Sequence, residues 1–418
     1  MIKHLALLLF ISVGFHSLAQ KKCVMQEYAE QQLAQDNTLK NKLEEIEEFI
    51  AQKNNSSDGS AQRINRLPEI IKIPVVFHVL YHNVDQNFPK ETIDLLMAAL
   101  NRDFNKKNSD TVNTPAAFRS LATSMGFEFK LATMDPRGVG TCGIVRKYTP
   151  VTYWLSDDKV KSSTTYGDDA WDSKSYLNIW ICNMIDVLGY STFPGMDQKK
   201  DGVVISYESI STAYGTSPTI NDFRTIVHEV GHWLDLRHIW GEGYCGDDKV
   251  DDTPKQSTFT PGCPSGPRVS CSNNLPGDMY MNYMDFTDDA CMNMFTIGQR
   301  RRARALFEVG GARQSILNSK GLNISTIQAA ELPDYYPKWL QVQVYPNPAT
   351  TEVKLFFEYD DRWKGTKMEI LDMTGRVVIS KIISSSTEII DVSRLGAGTY
   401  FIVANKEQDN LRAKFVKL

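Results

Sequence analysis

The stretch "HEVGHWLDLRH" at positions 228–238 constrains this chain more than any other feature. Only seven histidines occur in 418 residues, and His228, His232 and His238 are the last three, the other four lying at or before position 82. His228 and His232 are four apart, so on a helix they project to the same side, one turn apart. Two imidazoles placed in this way can ligate one zinc ion at about 2.0–2.1 Å each. Glu229 follows the first of them, where a carboxylate reaches a zinc-bound water without being a ligand, the position a general base needs. His238 supplies a third ligand only if the helix, read here as running from about Asp222 to Leu234, stops and the chain turns back. Three protein ligands leave a fourth position for water, whose pKa falls toward ~7.

The N-terminus bears on the compartment. Lys3 precedes a short apolar core at Leu5–Val13, and Ser17, Leu18 and Ala19 fit a small-x-small cleavage site, so residues 1–19 read as a secretory signal peptide. That core is too short for a membrane span, and no later run is long enough to make a transmembrane segment. The expected product is a secreted protein, extracellular or at the cell surface, in a compartment that permits disulfides. A net charge of −4 argues against nucleic acid as a partner. The basic run Arg300–Arg304 reads as a solvated helix face. Seven cysteines are an odd number. Cys245, Cys263, Cys271 and Cys291 crowd the region after the histidines, Cys142 and Cys182 come earlier, and Cys23 stands alone near the new N-terminus; spacing alone does not choose a pairing.

Texture divides the rest. Residues 20–66 are polar, with Leu39, Leu43, Ile46 and Ile50 at helical spacing, a flexible "NNSSDGSAQ" linker, and Arg63 and Arg66 as basic sites for cleavage; they cannot build a core alone and read as a prosegment. Residues 67–315 form the main domain, in which "IIKIPVVFHVLY" is a buried strand, Pro89 opens a helix with Ile93, Met97, Leu100 and Phe104 on one face, and "FEFKLATM", "YLNIWICNMI" and "GVVISY" are further strands. His78 and His82 fall in or near the first strand and read as structural. Thr296 and Gln299 are spaced as a capping box. Residues 316–341 read as a linker, and 342–418 as short strands separated by turns, a small all-β sandwich.

With the third histidine, "CGDDKVDDTP" and "MNYMDFTDDACMNMFT" included, residues from about 70 to 315 resemble the pappalysin family of metzincin metallopeptidases. The fold this resemblance implies is α+β: a mixed twisted sheet with an active-site helix, followed by an irregular subdomain stapled by disulfides. It implies a zinc-dependent endopeptidase acting on protein or peptide substrates, with His228, His232 and His238 on zinc, Glu229 activating the zinc-bound water, and Met284 in the Met-turn as an apolar floor. It also implies disulfides Cys245–Cys271 and Cys263–Cys291; Cys142–Cys182 is then left by elimination. Asp247, Asp248, Asp251 and Thr253 offer hard oxygen ligands that suit calcium as a second cofactor, which the resemblance supports. Some relatives favour a basic residue after the cut, a pocket that Asp288 or Asp289 could line, though a surface role is the expectation for either. A bound peptide is expected along an edge strand from "NMIDVLGYSTFPG".

Two positions depart from the family pattern. Asp235 stands where Gly is usual at the helix-ending turn, an expected cost of about 1 kcal/mol that Asp235→Gly would recover. Phe286 stands two residues after Met284, where many relatives carry a tyrosine that donates a hydrogen bond to the tetrahedral intermediate. These departures motivate the competing reading, a catalytically weak or inactive zinc- and calcium-bearing binding or adhesion protein. Cys23, in the expected prosegment, can serve as a latency switch, its thiolate filling the open zinc position. Residues 342–418, through "VYPNP", "ILDMTGRVV", "LGAGTYFIVA" and "KFVKL", resemble the sorting domain of proteins exported by the type IX secretion system, which implies that secretion machinery as a partner.

Overall fold

The polar N-terminal segment orders itself by borrowing a core. A computed structural model describes residues 22–55, 67–83, 86–210, 222–326, 342–356, 363–385, 387–406 and 409–418; the expected signal peptide, Arg63 and Arg66 lie outside them. A two-residue strand, β1 (Lys22–Cys23), leads into helices α1 (Met25–Gln35) and α2 (Leu39–Asn55). Helix α2 carries the expected apolar stripe, and Ile50 reaches the main core at 1% exposure. Helix α1 buries Met25 and Tyr28 in a second cluster with Trp154, Trp180 and Tyr190. These two helices are thus amphipathic elements whose apolar faces are completed by the domain that follows.

That domain is built on β2 (Ile71–Tyr81), whose sequence is rich in β-branched residues and is buried at every position except Lys72, as expected of a strand covered on both faces. Helix α3 (Lys90–Asp103) follows, burying Ile93, Leu96, Met97 and Leu100, and then the short β3 (Ala122–Thr123), β4 (Phe127–Leu131), β5 (Ile144–Tyr148), β6 (Leu177–Cys182), β7 (Val187–Ser191) and β8 (Val203–Ser206). The sheet order is β1-β7-β8-β6-β2-β4, with β5 pairing a second stretch of β2. All pairings are parallel except β7 with β8. Strand β7 is therefore the edge of this domain, as expected of "NMIDVLGYSTFPG", and β1 covers it in parallel. One face packs on α3 and on α4 (Arg224–Trp233), the other on α1.

Beyond α4 the chain is irregular to β9 (Phe295–Thr296), which pairs with β3, and α5 (Ile297–Ala305). The Thr296–Gln299 capping box is formed. Disulfides Cys245–Cys271 and Cys263–Cys291 cross the irregular stretch. Cys142 and Cys182 are not joined. Cys182 ends β6 among the residues under α1, whereas Cys142 packs against the core on the opposite face, so elimination fails for a geometric reason: the sheet lies between them. The expected linker also begins later than residue 316. Ile316 is 2% exposed in the core, Thr133 and Met134 donate to the Gly321 carbonyl, and Ser325 donates to Gly138.

The C-terminal residues form two antiparallel sheets. Strands β10 (Gln343–Tyr345), β11 (Glu352–Phe356), β12 (Lys367–Leu371), β13 (Val377–Ile382), β14 (Thr387–Asp391), β15 (Gly398–Lys406) and β16 (Asp409–Lys417) divide as β10-β11-β14 and β13-β12-β15-β16. Val353 and Leu355 from one sheet share a core with Ile370, Ile402 and Phe415 from the other. No helix among the described residues is long and apolar enough to cross a membrane.

Candidate metal centre

Helix α4 brings His228 and His232 to one side, and the turn after it returns His238 to them. The turn is a Schellman motif: Leu236 N donates to Gly231 O at 2.9 Å and Asp235 N to His232 O at 2.8 Å, with Asp235 left-handed at φ 68°. The three Nε2 atoms lie 3.1, 3.1 and 3.2 Å apart. Each Nδ1 is engaged elsewhere: His228 with Tyr283 O at 2.7 Å, His232 with Leu236 O at 2.7 Å, and His238 with Glu242 Oε2 at 2.8 Å. Two of these acceptors are carbonyls, so those Nδ1 atoms carry the proton, and the Glu242 carboxylate selects the same tautomer for His238. The Nε2 lone pairs then face one another in a buried space.

That arrangement is repulsive unless a cation lies among them. Burial lowers His228 and His238 to a pKa of about 3 and His232 well below its usual value, which excludes imidazolium as the remedy. Three ligands at zinc–nitrogen bond lengths and tetrahedral angles are about 3.3 Å apart, so the donor set fits zinc. Cys23 joins it: its Sγ is 3.5 Å from His232 Nε2, and the four ligand atoms lie within 4.8 Å of one another. Burial, then the nearby Glu229, pushes the thiol well up; a divalent cation acts in the opposite direction. This is the one such grouping of three or more His, Cys, Asp or Glu among the described residues.

Glu229 is fully buried and neither carboxylate oxygen has a partner at hydrogen-bond geometry; desolvation pushes its pKa up to about 8, with the Cys23 thiol beside it acting in the opposite direction. A buried, unpartnered carboxylate is expensive and has no structural task here. Gly189 on β7 makes room for it, because a Cβ there would come 2.8 Å from Glu229 Cγ. Met284 is fully buried beneath α4, where a Cβ on Gly231 would meet its sulfur at 2.5 Å. Phe286 packs its ring 4.8 Å from His238 and 5.5 Å from His228, close to the ligands but without a hydrogen to donate.

Other expected site residues disperse. Asp248 is buried and both its oxygens accept from Thr253 Oγ1, at 2.9 and 2.8 Å, and burial raises it to about 7. Asp247 instead pairs with Lys249 at 3.0 Å, and Asp251 is exposed. Asp289 accepts from the backbone N–H groups of Asp222 and Arg224 at the start of α4, so it is committed to holding the helix. His78 is a buried structural residue between Asp168 and Asn178. Glu242, which orients His238, was missed; its only signal is a carboxylate four residues after the third histidine.

The reading of Asp235 as a mere cost is also corrected. Its Oδ2 accepts from Arg302 Nη2 at 2.7 Å, and its carbonyl from Arg302 Nε at 2.7 Å. Arg302 is 2% exposed, which overturns the solvated-face reading of Arg300–Arg304: a sequence run of like charge does not say which member turns inward. Glu47 of α2 binds the same guanidinium, and Arg237 Nη2 at 2.8 Å.

Fold and site together are similar to those of zinc-dependent metallopeptidases. A family model described as pregnancy-associated plasma protein-A matches residues 160–308, and one described as a secretion system C-terminal sorting domain matches 343–418. An extracellular metalloprotease of Arthroderma benhamiae is 30% identical over 262 residues, 59% of this chain and 76% of the relative. A Tannerella forsythia promirolysin mutant is 41% identical with a TM-score of 0.63, covering 71% of this chain and 97% of that one. Mature mirolysin of the same organism, in complex with a cleaved peptide, is 46% identical with a TM-score of 0.58, covering 60% and 97%. Against two other fungal relatives the match spans about half their length, 48% and 49%. The chain belongs to the pappalysin family of metallopeptidases and carries a C-terminal secretion sorting domain, which makes it a secreted or cell-surface protein.

Asp235→Gly should lower stability, contrary to the conformational argument alone. Glu47 still meets Arg302, so the loss is that of one hydrogen bond between charged groups, ~1.5–3 kcal/mol, against a backbone gain of about 1 kcal/mol, and denaturant unfolding should read a net loss of about 0.5–2 kcal/mol. A rise in stability would show that Arg302 does not need this carboxylate.

Proposed function

We propose that this chain is a secreted zinc endopeptidase, made as a latent precursor, in which Glu229 is the general base. The observation that carries this reading is the Glu229 carboxylate, buried and unpartnered beside three imidazoles whose Nε2 atoms converge. Zinc held by His228, His232 and His238 supplies a Lewis acid that polarises a carbonyl and acidifies a water. The substrate backbone lies along the β7 edge in the place of β1, through main-chain hydrogen bonds. Glu229, raised by burial and lowered again by a dication beside it, takes the proton of the attacking water as the carboxylate and passes it to the leaving amine. Phe286 gives no hydrogen bond to the developing oxyanion, so the protonated Glu229 and backbone N–H groups carry more of that task; one lost donor costs roughly 10²–10³ in rate in other enzymes. The alternative of a purely binding zinc protein is not favoured, since it gives that carboxylate no use.

Cys23 is proposed as the latency switch, with its sulfur in the fourth position of the cation. Its contact with His232 supports this, as does the pairing of β1 on the β7 edge. Calcium is proposed at the 245–253 loop with Asp247, Asp248, Asp251 and Thr253 as its side-chain contributors; Asp248 and Thr253 already meet there, and Asp247 is paired with Lys249. Export machinery of the type IX class is proposed as the partner of residues 342–418.

Purified protein should hold about one zinc per chain, and Glu229→Ala should keep the metal while peptide cleavage falls at least ~10²-fold. Cleavage at the parental rate in that variant would remove Glu229 from the mechanism. Cys23→Ala should give a precursor that cleaves peptide before its linker is cut; an equally latent variant would mean that the helices α1 and α2 alone block the cleft. Adding calcium at a hundredfold excess over its Kd should raise stability by about 2.7 kcal/mol in thermal melts of the full chain, and Asp248→Asn should abolish the shift. Superimposable curves with and without calcium would return the loop to a solvent-facing acidic segment.

A further inference from the structure

One buried carboxylate outside the metal centre is held by donors from both the prosegment and the domain beneath it. Asp158 is 4% exposed. Tyr28 and Gln32, both on α1, donate to it: the Tyr28 hydroxyl at 2.9 and 3.1 Å, the Gln32 amide at 3.2 Å. From the main domain come the Tyr190 hydroxyl, a donor at 3.3 Å, and two ion pairs, Lys161 Nζ at 2.9 Å and Lys200 Nζ at 3.7 Å. The Tyr28 ring lies 4.8 Å from that of Tyr190, and the Lys161 ammonium sits 5.3 Å from its centroid. When α1 leaves, the carboxylate, the ammonium and the Tyr190 ring stay, with a space shaped by a phenol between them.

This space lies against the peptide-binding edge. Tyr190 is on β7, adjacent to Gly189, the residue that pairs with Cys23. Gly189 faces Glu229, so Tyr190, next along the strand, faces the other side of the sheet. A peptide added to β7 has the same alternation: if one side chain points to the metal side, its neighbour points to the Asp158 side.

We propose that Asp158, Lys161 and Tyr190 form a substrate subsite selective for a tyrosine side chain, which Tyr28 fills in the precursor. The inference rests on the reading that the prosegment is released and that peptides bind along β7. The chemistry chooses tyrosine over other occupants. One carboxylate faces two ammonium groups, so a lysine or arginine side chain would add a third positive charge. Phenylalanine would fill the ring space but leave a buried acceptor without its donor. A phenol supplies both a neutral donor and a ring face for the Lys161 ammonium.

The test uses the Glu229→Ala chain, cut in the 56–66 linker, freed of the N-terminal fragment and zinc-loaded, so that peptides bind without being cleaved. Affinities are measured by calorimetry for peptides differing only in Tyr, Phe, O-methyltyrosine or Lys at each position in turn. At one position tyrosine should bind about ten- to hundredfold more tightly than phenylalanine, the effect of one hydrogen bond to a charged group, with O-methyltyrosine no better than phenylalanine. Asp158→Asn in the same background should bring the Tyr/Phe ratio close to one. Equal binding of tyrosine and phenylalanine at every position overturns the proposal, and so does a preference that O-methyltyrosine shares or that survives Asp158→Asn. The O-methyltyrosine arm alters only the ligand, so it decides the matter even if Asp158→Asn fails to fold. Failure of the peptidase reading is seen separately, as no cleavage of any of these peptides by the processed chain that retains Glu229.

Discussion

Three neutral imidazoles with their lone pairs aimed at one point form a site that only a cation makes favourable, and much of the main domain serves that convergence. Each ring is fixed by a hydrogen bond from its other nitrogen, and the three acceptors come from three different places. The Tyr283 carbonyl belongs to the turn containing Met284, the Leu236 carbonyl to the turn that ends α4, and the Glu242 carboxylate to the loop beyond His238. Metal ligands held in this way lose little freedom on binding. All three acceptors lie in the irregular stretch between α4 and β9, and the part that carries Tyr283 lies within the span of the disulfides.

Asp235 shows how a conformational cost becomes part of a larger interaction. A glycine would adopt its positive φ more cheaply, but only a carboxylate can meet Arg302, which α5 directs into the interior. The same guanidinium receives Glu47 from α2, and Glu47 also holds Arg237. Helix α2, the turn that ends α4 and α5 are therefore joined by one charge network, with Asp235 as the partner that would remain if Glu47 departed.

The metal centre was legible because its constraint is local: a four-residue spacing on a helix, one carboxylate beside it, and a turn that must close within six residues. The sandwich and the strand β2 were legible through short alternating or continuously apolar runs. What stayed hidden depends on pairing across long separations. Arg302 and Asp235 are 67 positions apart, Arg302 and Glu47 255, and nothing in "RRRAR" marks the middle arginine as the buried one. Cys142 and Cys182 looked like a pair because nothing in sequence spacing says that a sheet separates them. The helix α1 escaped notice for a related reason: its apolar residues are few, and only the second cluster, supplied by the domain itself, makes burying Met25 and Tyr28 favourable.

On the proposed reading, latency and recognition draw on one set of contacts. Strand β1 takes the backbone hydrogen bonds of β7 that an incoming peptide needs. Cys23 takes the position beside His232 that reacting groups need, and Tyr28 takes the Asp158 carboxylate. The prosegment adds to these a part that no short peptide can match, Ile50 in the core and Glu47 on two arginines. On that reading it outcompetes substrate while it is tethered. Once the linker is cut, tethering no longer raises its effective concentration, and substrates that share only the strand and the side-chain contacts can displace it. A prosegment that imitates the substrate where it meets the cleft, and exceeds it elsewhere, is strong as part of the chain and exchangeable as a fragment.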